Sequence, residues 1–459
     1  MTQLLKREQL RNYQLTMIEL GKKHQCMAWW VDMGMGKSSS SATLVSDLLE
    51  NFLVLHVLIV APKQVATITW PEQLQEWEHL RWMKWSLITG SQDQRIEAIM
   101  TRADIHIISQ DNVDWLLRTV GKQWPWDMII LDEAHGFKNQ STRRWKAINS
   151  LRKANKYDRM IQLTATPSSQ DIRDLWGQVY LLDGGQRLGT TEKAFNARWF
   201  EYSKKTKQKE LKEGAEQEIK ELLGDICFHL DCNDYLDMPE LIHNRIEVDM
   251  PPKALAIYKQ FERSLALQIL ELDLELEAAN AAVLVGKLLQ FANGAVYYND
   301  AKDYKIIHNE KIEALHRVVE NINGKPLLVG YQYGSDLQRL IKAFPKAIVM
   351  KNDPLAKDRW NNGDIQMLLA HPKSAGYGLN LQKGSNHMAF FGLGYSVQQQ
   401  IQFIGRVHRQ GQKEKFVMVH EIVARDTRDM IVLEVIKNNK ATQKMLLDAV
   451  KLSFEQEGY

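Results

Sequence analysis

Short apolar runs alternate with longer polar-periodic stretches through the first part of this 459-residue chain. The runs occupy residues 25–33 (QCMAWWVDM), 56–62 (HVLIVAP), 104–109 (DIHIIS), 127–135 (DMIILDEAH) and 160–167 (MIQLTATP). Each is short, rich in β-branched or aromatic residues, and closes on a turn or charged signal. That pattern predicts buried strands of a parallel sheet with helices between them. The rhythm returns at 326–331 (PLLVGY), 347–350 (AIVM), 365–372 (IQMLLAHP), 387–392 (HMAFFG) and 415–423 (KFVMVHEIV). The expectation is an α/β fold of two similar units, residues 1–185 and 301–459, each built on a parallel sheet.

The middle breaks the rhythm. Residues 201–223 are mixed in charge with no early apolar face, which predicts an exposed helix or flexible insertion. In 253–291, Leu255, Tyr258, Phe261, Leu265 and Ile269 recur every 3–4 positions, a helical period. Residues 186–300 are therefore expected to form a helical insertion or bridge. No internal repeat interrupts either half.

Composition narrows the class. Apolar residues at 44% and charged residues at 25% exclude intrinsic disorder, collagen and coiled-coil rods. No apolar run approaches the ~20 residues of a membrane-spanning helix, and the N-terminus lacks a signal-peptide core. Three cysteines, Cys26, Cys227 and Cys232, are too few for a disulfide framework, so a reducing cytoplasm is expected. Cys227, His229, Cys232 and His243 do not show the two tight ligand pairs of a structural zinc site, and no zinc is expected.

The net charge of +3 argues against a strongly basic nucleic-acid coat. By segment, basic against acidic residues number 25 and 21 in 1–200, 11 and 19 in 201–300, and 23 and 16 in 301–459. The basic excess thus lies in the two sheet-forming units. Twelve of thirteen tryptophans precede residue 201, which predicts rings packing helices onto the first sheet rather than a base-stacking surface.

Three sites carry candidate chemistry. Val31-Asp32-Met33-Gly34-Met35-Gly36-Lys37-Ser38 follows an apolar run and precedes a helical stretch. Gly34, Met35 and Gly36 can bring backbone N–H groups to a phosphate chain at a helix N-terminus. Lys37 would reach the β- and γ-phosphates and the Ser38 hydroxyl would ligate Mg²⁺. Val31 stands where the general phosphate-loop pattern has glycine, so a helix-starting turn remains the alternative. Asp132-Glu133-Ala134-His135 closes the fourth apolar run, where open α/β sheets bind ligands. Asp132 could hold Mg²⁺ and Glu133 could orient an attacking water, with an ordinary acidic loop as the alternative. Arg406 and Arg409 lie three apart on one helical face, able to neutralise a transferring phosphoryl group or simply to face solvent.

Taken in order, these segments resemble the helicase-like ATPases of superfamily 2, specifically the Swi/Snf-type DNA translocases, from about residue 10 to residue 450. Leu10-Arg11-Asn12-Tyr13-Gln14 resembles the motif whose glutamine reads adenine, which marks Gln14. The family's phosphate loop tolerates a residue other than glycine at Val31. Ile59-Val60-Ala61-Pro62-Lys63, with Trp70 and Trp77 behind it, resembles a motif whose loop touches a DNA backbone. Asp132 to His135, then Phe137-Lys138-Asn139, resembles the metal- and water-activating box. Leu163-Thr164-Ala165-Thr166-Pro167, with Asp174-Leu175-Trp176, resembles the coupling motif, marking His135, Thr164 and Thr166.

Lys287-Leu288-Leu289-Gln290 with Asn293-Gly294 resembles a signature found just before the second unit. Ser374 to Leu381 resembles the fifth motif, which places Gly378 beside the ATP phosphates. Gln402, Arg406 and Arg409 fall on the family's glutamine and arginine fingers, with His408 and Gln412 also matching. Two features depart: Cys227-Phe228-His229 stands where relatives carry paired arginines, and Tyr395-Ser396-Val397 where Trp-Asn-Pro is frequent.

The resemblance implies two RecA-like domains, ATP and Mg²⁺ as cofactors, and catalysis by Lys37, Asp132, Glu133, Gln402, Arg406 and Arg409. It implies tracking on double-stranded DNA through the backbone, without extensive strand separation or sequence readout. Candidate DNA contacts, all near strand ends, are Lys63, Ser109, Gln110, Gln332, Lys373 and Ser374. A strand-separating DNA or RNA helicase is the neighbouring reading, and an inactive nucleic-acid clamp or scaffold the reading from another class. The chain is expected to act as a monomer without flanking reader or nuclease modules, and to resemble minimal members from bacteria, phages and prophages.

Overall fold

The computed structural model describes residues 4–32, 34–165, 167, 172–203, 208–230, 238–271, 278–299, 303–375, 379–394 and 396–437. Thr166, Gly378, Cys232 and Tyr395 lie outside them. The chain divides into two compact units, Met1–Leu236 and Asp237–Tyr459.

In the first unit, strands β1 (Cys26–Val31), β2 (Val57–Ala61), β3 (Trp85–Ile88), β4 (Ile105–Ser109), β5 (Met128–Asp132) and β6 (Arg159–Thr164) form a parallel sheet. A short hairpin, β7 (Phe200–Ser203) and β8 (Gln208–Leu211), follows, and β9 (Cys227–Leu230) then joins the sheet beside β1. The sheet order is β3-β4-β2-β5-β6-β1-β9, every neighbouring pair parallel. All residues of β2, β4 and β5 are buried. Helices covering both faces explain why these strands read as continuous apolar runs rather than alternating ones.

Between and beside these strands lie α1 (Asn12–Lys23), α2 (Lys37–Glu50), α3 (Trp70–Glu76), α4 (Gln92–Met100), α5 (Val113–Val120), α6 (Arg143–Lys153) and α7 (Asp174–Asp183). The tryptophans do pack them down. Trp29, Trp70, Trp126 and Trp199 are fully buried, and Trp145, Trp176 and Tyr180 stack between α6 and α7. Each such ring buries roughly 150–250 Å², a transfer gain of about 4–6 kcal/mol at ~25 cal/mol/Å².

The second unit contains β10 (Glu240–Val248), a hairpin of β11 (Ala295–Tyr297) and β12 (Tyr304–Ile306), and then β13 (Leu327–Gly330), β14 (Ile348–Val349), β15 (Met367–Ala370), β16 (His387–Phe390) and β17 (Phe416–Ala424). Its sheet runs β10-β17-β16-β13-β15-β14, again parallel throughout. The two parallel sheets are those of tandem RecA-like domains. No helix among the described residues is long and apolar enough to cross a membrane.

All ten strands expected from the apolar runs are present. The stretch 186–300 is instead shared between the two units. Phe195, Trp199, Ile219 and Leu223 join the core beneath the first sheet, and β9 extends that sheet. From β10 onward the chain belongs to the second unit, where Tyr258 and Leu265 of helix Pro252–Glu271 are buried with Val285, Leu288 and Leu289 of helix Ala278–Ala292. The mixed-charge segment 201–223 holds the β7–β8 hairpin and helix Ala215–Leu223. Polar edge strands of four residues leave little periodicity for the sequence to show, which is why the hairpin was not expected there.

Candidate functional site

Sheet order brings the Gly34–Ser38 loop, the acidic turn and Thr164 together. β5, β6 and β1 are consecutive neighbours, so Asp132, Thr164 and the loop after Val31 emerge side by side at the C-terminal edge. This is the edge where open parallel sheets bind ligands.

Gly34 and Gly36 take left-handed φ values of 84° and 75°, which glycine adopts without a Cβ penalty. Gly36 caps α2, so Lys37 and Ser38 stand in the first turn of that helix, at the positive end of its dipole. Lys37 Nζ donates to the carbonyls of Val31 at 2.6 Å and Asp32 at 3.1 Å, which holds the ammonium under the loop. Gln14, on α1, is buried against the same loop. Its Nε2 donates to Ser39 Oγ at 3.3 Å, and its Oε1 accepts from the Arg11 backbone N–H at 2.9 Å. A Cβ on Gly36 would stand 2.2 Å from Gln14 Nε2, so the glutamine is packed onto the glycine.

Asp132 is buried with both carboxylate oxygens engaged. Oδ2 accepts from Trp70 Nε1 at 2.9 Å and Oδ1 from the Glu133 backbone N–H at 2.9 Å. Burial above all, then the Glu133 charge, push this carboxyl up to about 7, against the opposing pull of Lys37. Glu133 has φ +51°, a left-handed conformation that a non-glycine residue keeps only when its surroundings enforce it. Its carboxylate Oε2 lies 3.3 Å from His135 Nδ1, which lies 3.5 Å from Thr164 Oγ1. The acidic turn and the end of β6 are therefore joined through one imidazole.

The donor set suits Mg²⁺: the Ser38 hydroxyl and the Asp132 and Glu133 carboxylates are hard oxygen donors. A carboxyl that burial favours in its protonated form is also one that a cation at the site would return to the charged form.

The DNA-contact candidates of this unit separate. Lys63 and Ser109 line one groove of about 390 Å³ at the ends of β2, β3 and β4, with Thr67, Thr89 and Asn112. Gln110 faces inward. Its Nε2 donates to the carbonyl of Asp132 at 2.7 Å and of Glu133 at 3.3 Å, so it supports the acidic turn instead of lining the groove. Sequence gave no signal for this, because the residue after a strand is equally placed to turn either way. Trp70, expected near a DNA-touching loop, is the buried donor to Asp132.

In the second unit, Gln332 follows β13 and Lys373 and Ser374 follow β15, its neighbour in the sheet. His371 ties them: its Nε2 bonds the Gln332 carbonyl at 3.1 Å, its Nδ1 accepts from the Lys373 N–H at 3.1 Å, and its carbonyl accepts from Ser374 Oγ at 3.0 Å. The Lys373 and Ser374 side chains are exposed. His371 was not singled out from the sequence.

Gln402 is buried on helix Val397–Ile404. Just beyond it, Arg406 Nη1 donates to the Leu379 carbonyl at 3.4 Å and Arg409 Nη1 donates to Asn380 Oδ1. The Leu381 N–H closes the set on the Arg406 carbonyl at 3.1 Å. The arginine pair is thus fastened to the end of the 374–381 segment and does not form the solvated basic face that was the alternative. Burial and the adjacent Arg406 lower the Arg409 guanidinium to about 10, so it stays charged at neutral pH.

Residues 17–292 match the SNF2-related domain. The chain belongs to the SNF2-related family. Putative protein p41 of Acyrthosiphon pisum secondary endosymbiont phage 1 is 40% identical over 435 residues, spanning 92% of this chain and 94% of that protein. The uncharacterized ATP-dependent helicase YqhH of Bacillus subtilis is 23% identical, with 88% and 73% covered. The Sulfolobus solfataricus SWI2/SNF2 ATPase core in complex with dsDNA aligns over 97% of this chain and 94% of its own, with 19% identity and a TM-score of 0.45. The matched residues 17–292 take in both the Gly34–Ser38 loop and the Asp132–Glu133 turn.

Proposed function

We propose that this chain is an ATP-dependent translocase that moves along double-stranded DNA without extensive strand separation. The observation that supports it most is the adjacency of β5, β6 and β1 beside the Lys63–Ser109 groove at one sheet edge. It puts a phosphate loop, an acidic turn and a polar groove within one rigid sheet.

In this reading the α2 N-terminus and Lys37 bind the ATP phosphates, and Gln14 selects the base. Ser38 and Asp132 would hold Mg²⁺, which would supply charge neutralisation for phosphoryl transfer. Glu133 orients the attacking water in line with the γ-phosphorus and takes up its proton. His135, Thr164 and Thr166 relay the change at the γ-phosphate. Gln402, Arg406 and Arg409 belong to the catalytic set, the arginines neutralising charge on the transferring phosphoryl group, and Gly378 belongs to the ATP-binding set. Each unit grips the DNA backbone in alternation: the first through Lys63 and Ser109, the second through Gln332, Lys373 and Ser374. Contacts of this kind carry no sequence information. The chain works as a monomer in the cytoplasm.

The test is the ATP hydrolysis rate with no nucleic acid, single-stranded DNA, duplex DNA and RNA, beside Lys37→Ala. Duplex DNA is expected to stimulate most and Lys37→Ala to abolish turnover. Stimulation by RNA or single strands alone would favour the strand-separating helicase. A wild-type rate equal to that of Lys37→Ala would leave only a clamp or scaffold.

A further inference from the structure

The two walls of the groove in the first unit are also the two supports of the acidic turn. One wall is the segment from Lys63 through the π-type turn Val65–Thr69, which runs directly into α3 and ends on Trp70. The Trp70 indole holds the Asp132 carboxylate from behind. The other wall is the turn Ser109–Asn112, and Gln110, between two groove residues, holds the Asp132 and Glu133 carbonyls.

The orientation of the Gln110 amide is fixed. Its Oε1 accepts from Arg144 Nη1 at 3.0 Å, so its Nε2 is the end that donates to the acidic turn. The space for this contact is made by Gly136, where a Cβ would stand 2.5 Å from Gln110 Oε1. The Glu133 carbonyl that Gln110 holds belongs to the residue with left-handed φ, and it also accepts from the Gly136 N–H at 2.9 Å. A strained conformation persists only where its surroundings hold it, and these two bonds to the Glu133 carbonyl are such supports.

We propose that Gln110 is a positioning residue through which a nucleic-acid backbone in the Lys63–Ser109 groove sets the Glu133 turn for hydrolysis. This rests on the translocase reading above. A phosphate held by Ser109 and Lys63 draws on the 109–112 turn, and the Gln110 amide carries that displacement to the Glu133 peptide. Trp70 acts from the other wall on Asp132. A positioning role differs from plain support because it affects the nucleic-acid-stimulated rate more than the unstimulated one.

The test compares wild type, Gln110→Ala and Gln110→Glu for kcat with and without duplex DNA, ATP KM, and duplex half-saturation by anisotropy. Gln110→Glu preserves length but cannot donate to the two carbonyls. Melting temperatures establish that each variant folds, and the glutamate variant serves if the alanine variant does not. Both variants are expected to lose at least about tenfold more in stimulated than in unstimulated kcat, while duplex half-saturation stays within about twofold. Gly136→Ala is expected to reproduce the loss and to add nothing in the Gln110→Ala background. A stimulation ratio equal to that of wild type, or a parallel fall of both rates, would overturn the inference while the translocase reading stands. Absence of duplex stimulation in the wild type would refute that reading first, and the inference with it.

Discussion

Gly36→Ala probes how Gln14, proposed to read the base, is tied to the Gly34–Ser38 loop. The new methyl group meets a left-handed φ of 75° and lies 2.2 Å from Gln14 Nε2 and 2.9 Å from Ser39 Oγ. The left-handed conformation costs a non-glycine residue ~1–2 kcal/mol. Relief of the clash falls to Gln14, because its amide is the far end of a side chain and the loop is not. Moving it forfeits the 3.3 Å bond to Ser39 and the 2.9 Å bond from the Arg11 N–H, roughly 1 kcal/mol each. The single substitution is expected to lower stability of the first unit by about 2–4 kcal/mol. Gln14→Ala loses the same two bonds but removes the obstacle. The double variant should therefore be more stable than the sum of the singles by about 1–2 kcal/mol, which urea unfolding reads directly. In turnover, Gly36→Ala should lower the ratio of kcat/KM for ATP over GTP, and Gln14→Ala should do the same. Effects additive within ~0.5 kcal/mol, or unchanged base preference, would refute the packing argument.

Three further outcomes follow from the packing and charge pattern. Gly177→Ala places a Cβ 2.1 Å from the Lys138 carbonyl, which is main chain and cannot swing aside; a loss of about 1–3 kcal/mol is expected, read in calorimetry at roughly 2–4 °C per kcal/mol. Lys311 is fully buried and donates to Asn293 Oδ1 at 2.8 Å and to Asp429. Lys311→Met should destabilise the second unit by about 3–5 kcal/mol by leaving the Asp429 charge buried, and an unchanged denaturation midpoint would count against that network. His420 is held down to about 4 by burial and by His387, so its stabilising neutral form is complete above ~6.5 and is lost as pH falls toward 4. Unfolding free energy should drop by about 2 kcal/mol per such histidine between pH 8 and 5; His420→Gln should flatten that slope.

The parallel strands were legible because burial on both faces forces continuous apolar runs, as in Val57–Ala61 and Met128–Asp132. The Gly34–Ser38 loop and the Asp132–Glu133 turn could be placed because each follows an apolar run that forms a buried strand. β3 and β9 escaped notice: Trp-Ser-Leu-Ile is short, and Cys-Phe-His-Leu lies at the sheet edge where polar residues are admitted. The boundary between units, at 236/237, falls inside the stretch expected as a bridge. Its helices carry ordinary amphipathic periods, which reveal that a face is buried and not against which sheet.

Among site residues, Gln14 bonds Ser39 beside the Gly34–Ser38 loop and Lys37 bonds the Val31 carbonyl beneath it. Gln110 shows the limit of that reasoning. A glutamine after a strand can present its amide to solvent or to the neighbouring turn, and only the Arg144 donor and the space over Gly136 decide between them. Likewise Asn380 falls in the 374–381 segment that the motif marked, but its bond with Arg409 shows only in the structure.

Movement along duplex DNA is tested most directly by displacement of a labelled third strand from a DNA triplex, with ATP, without it, and with Lys37→Ala. The account predicts ATP-dependent displacement by wild type, none by Lys37→Ala, and no separation of the underlying duplex strands. Separation of the duplex at a rate matching triplex displacement, or displacement that needs no ATP, would contradict it.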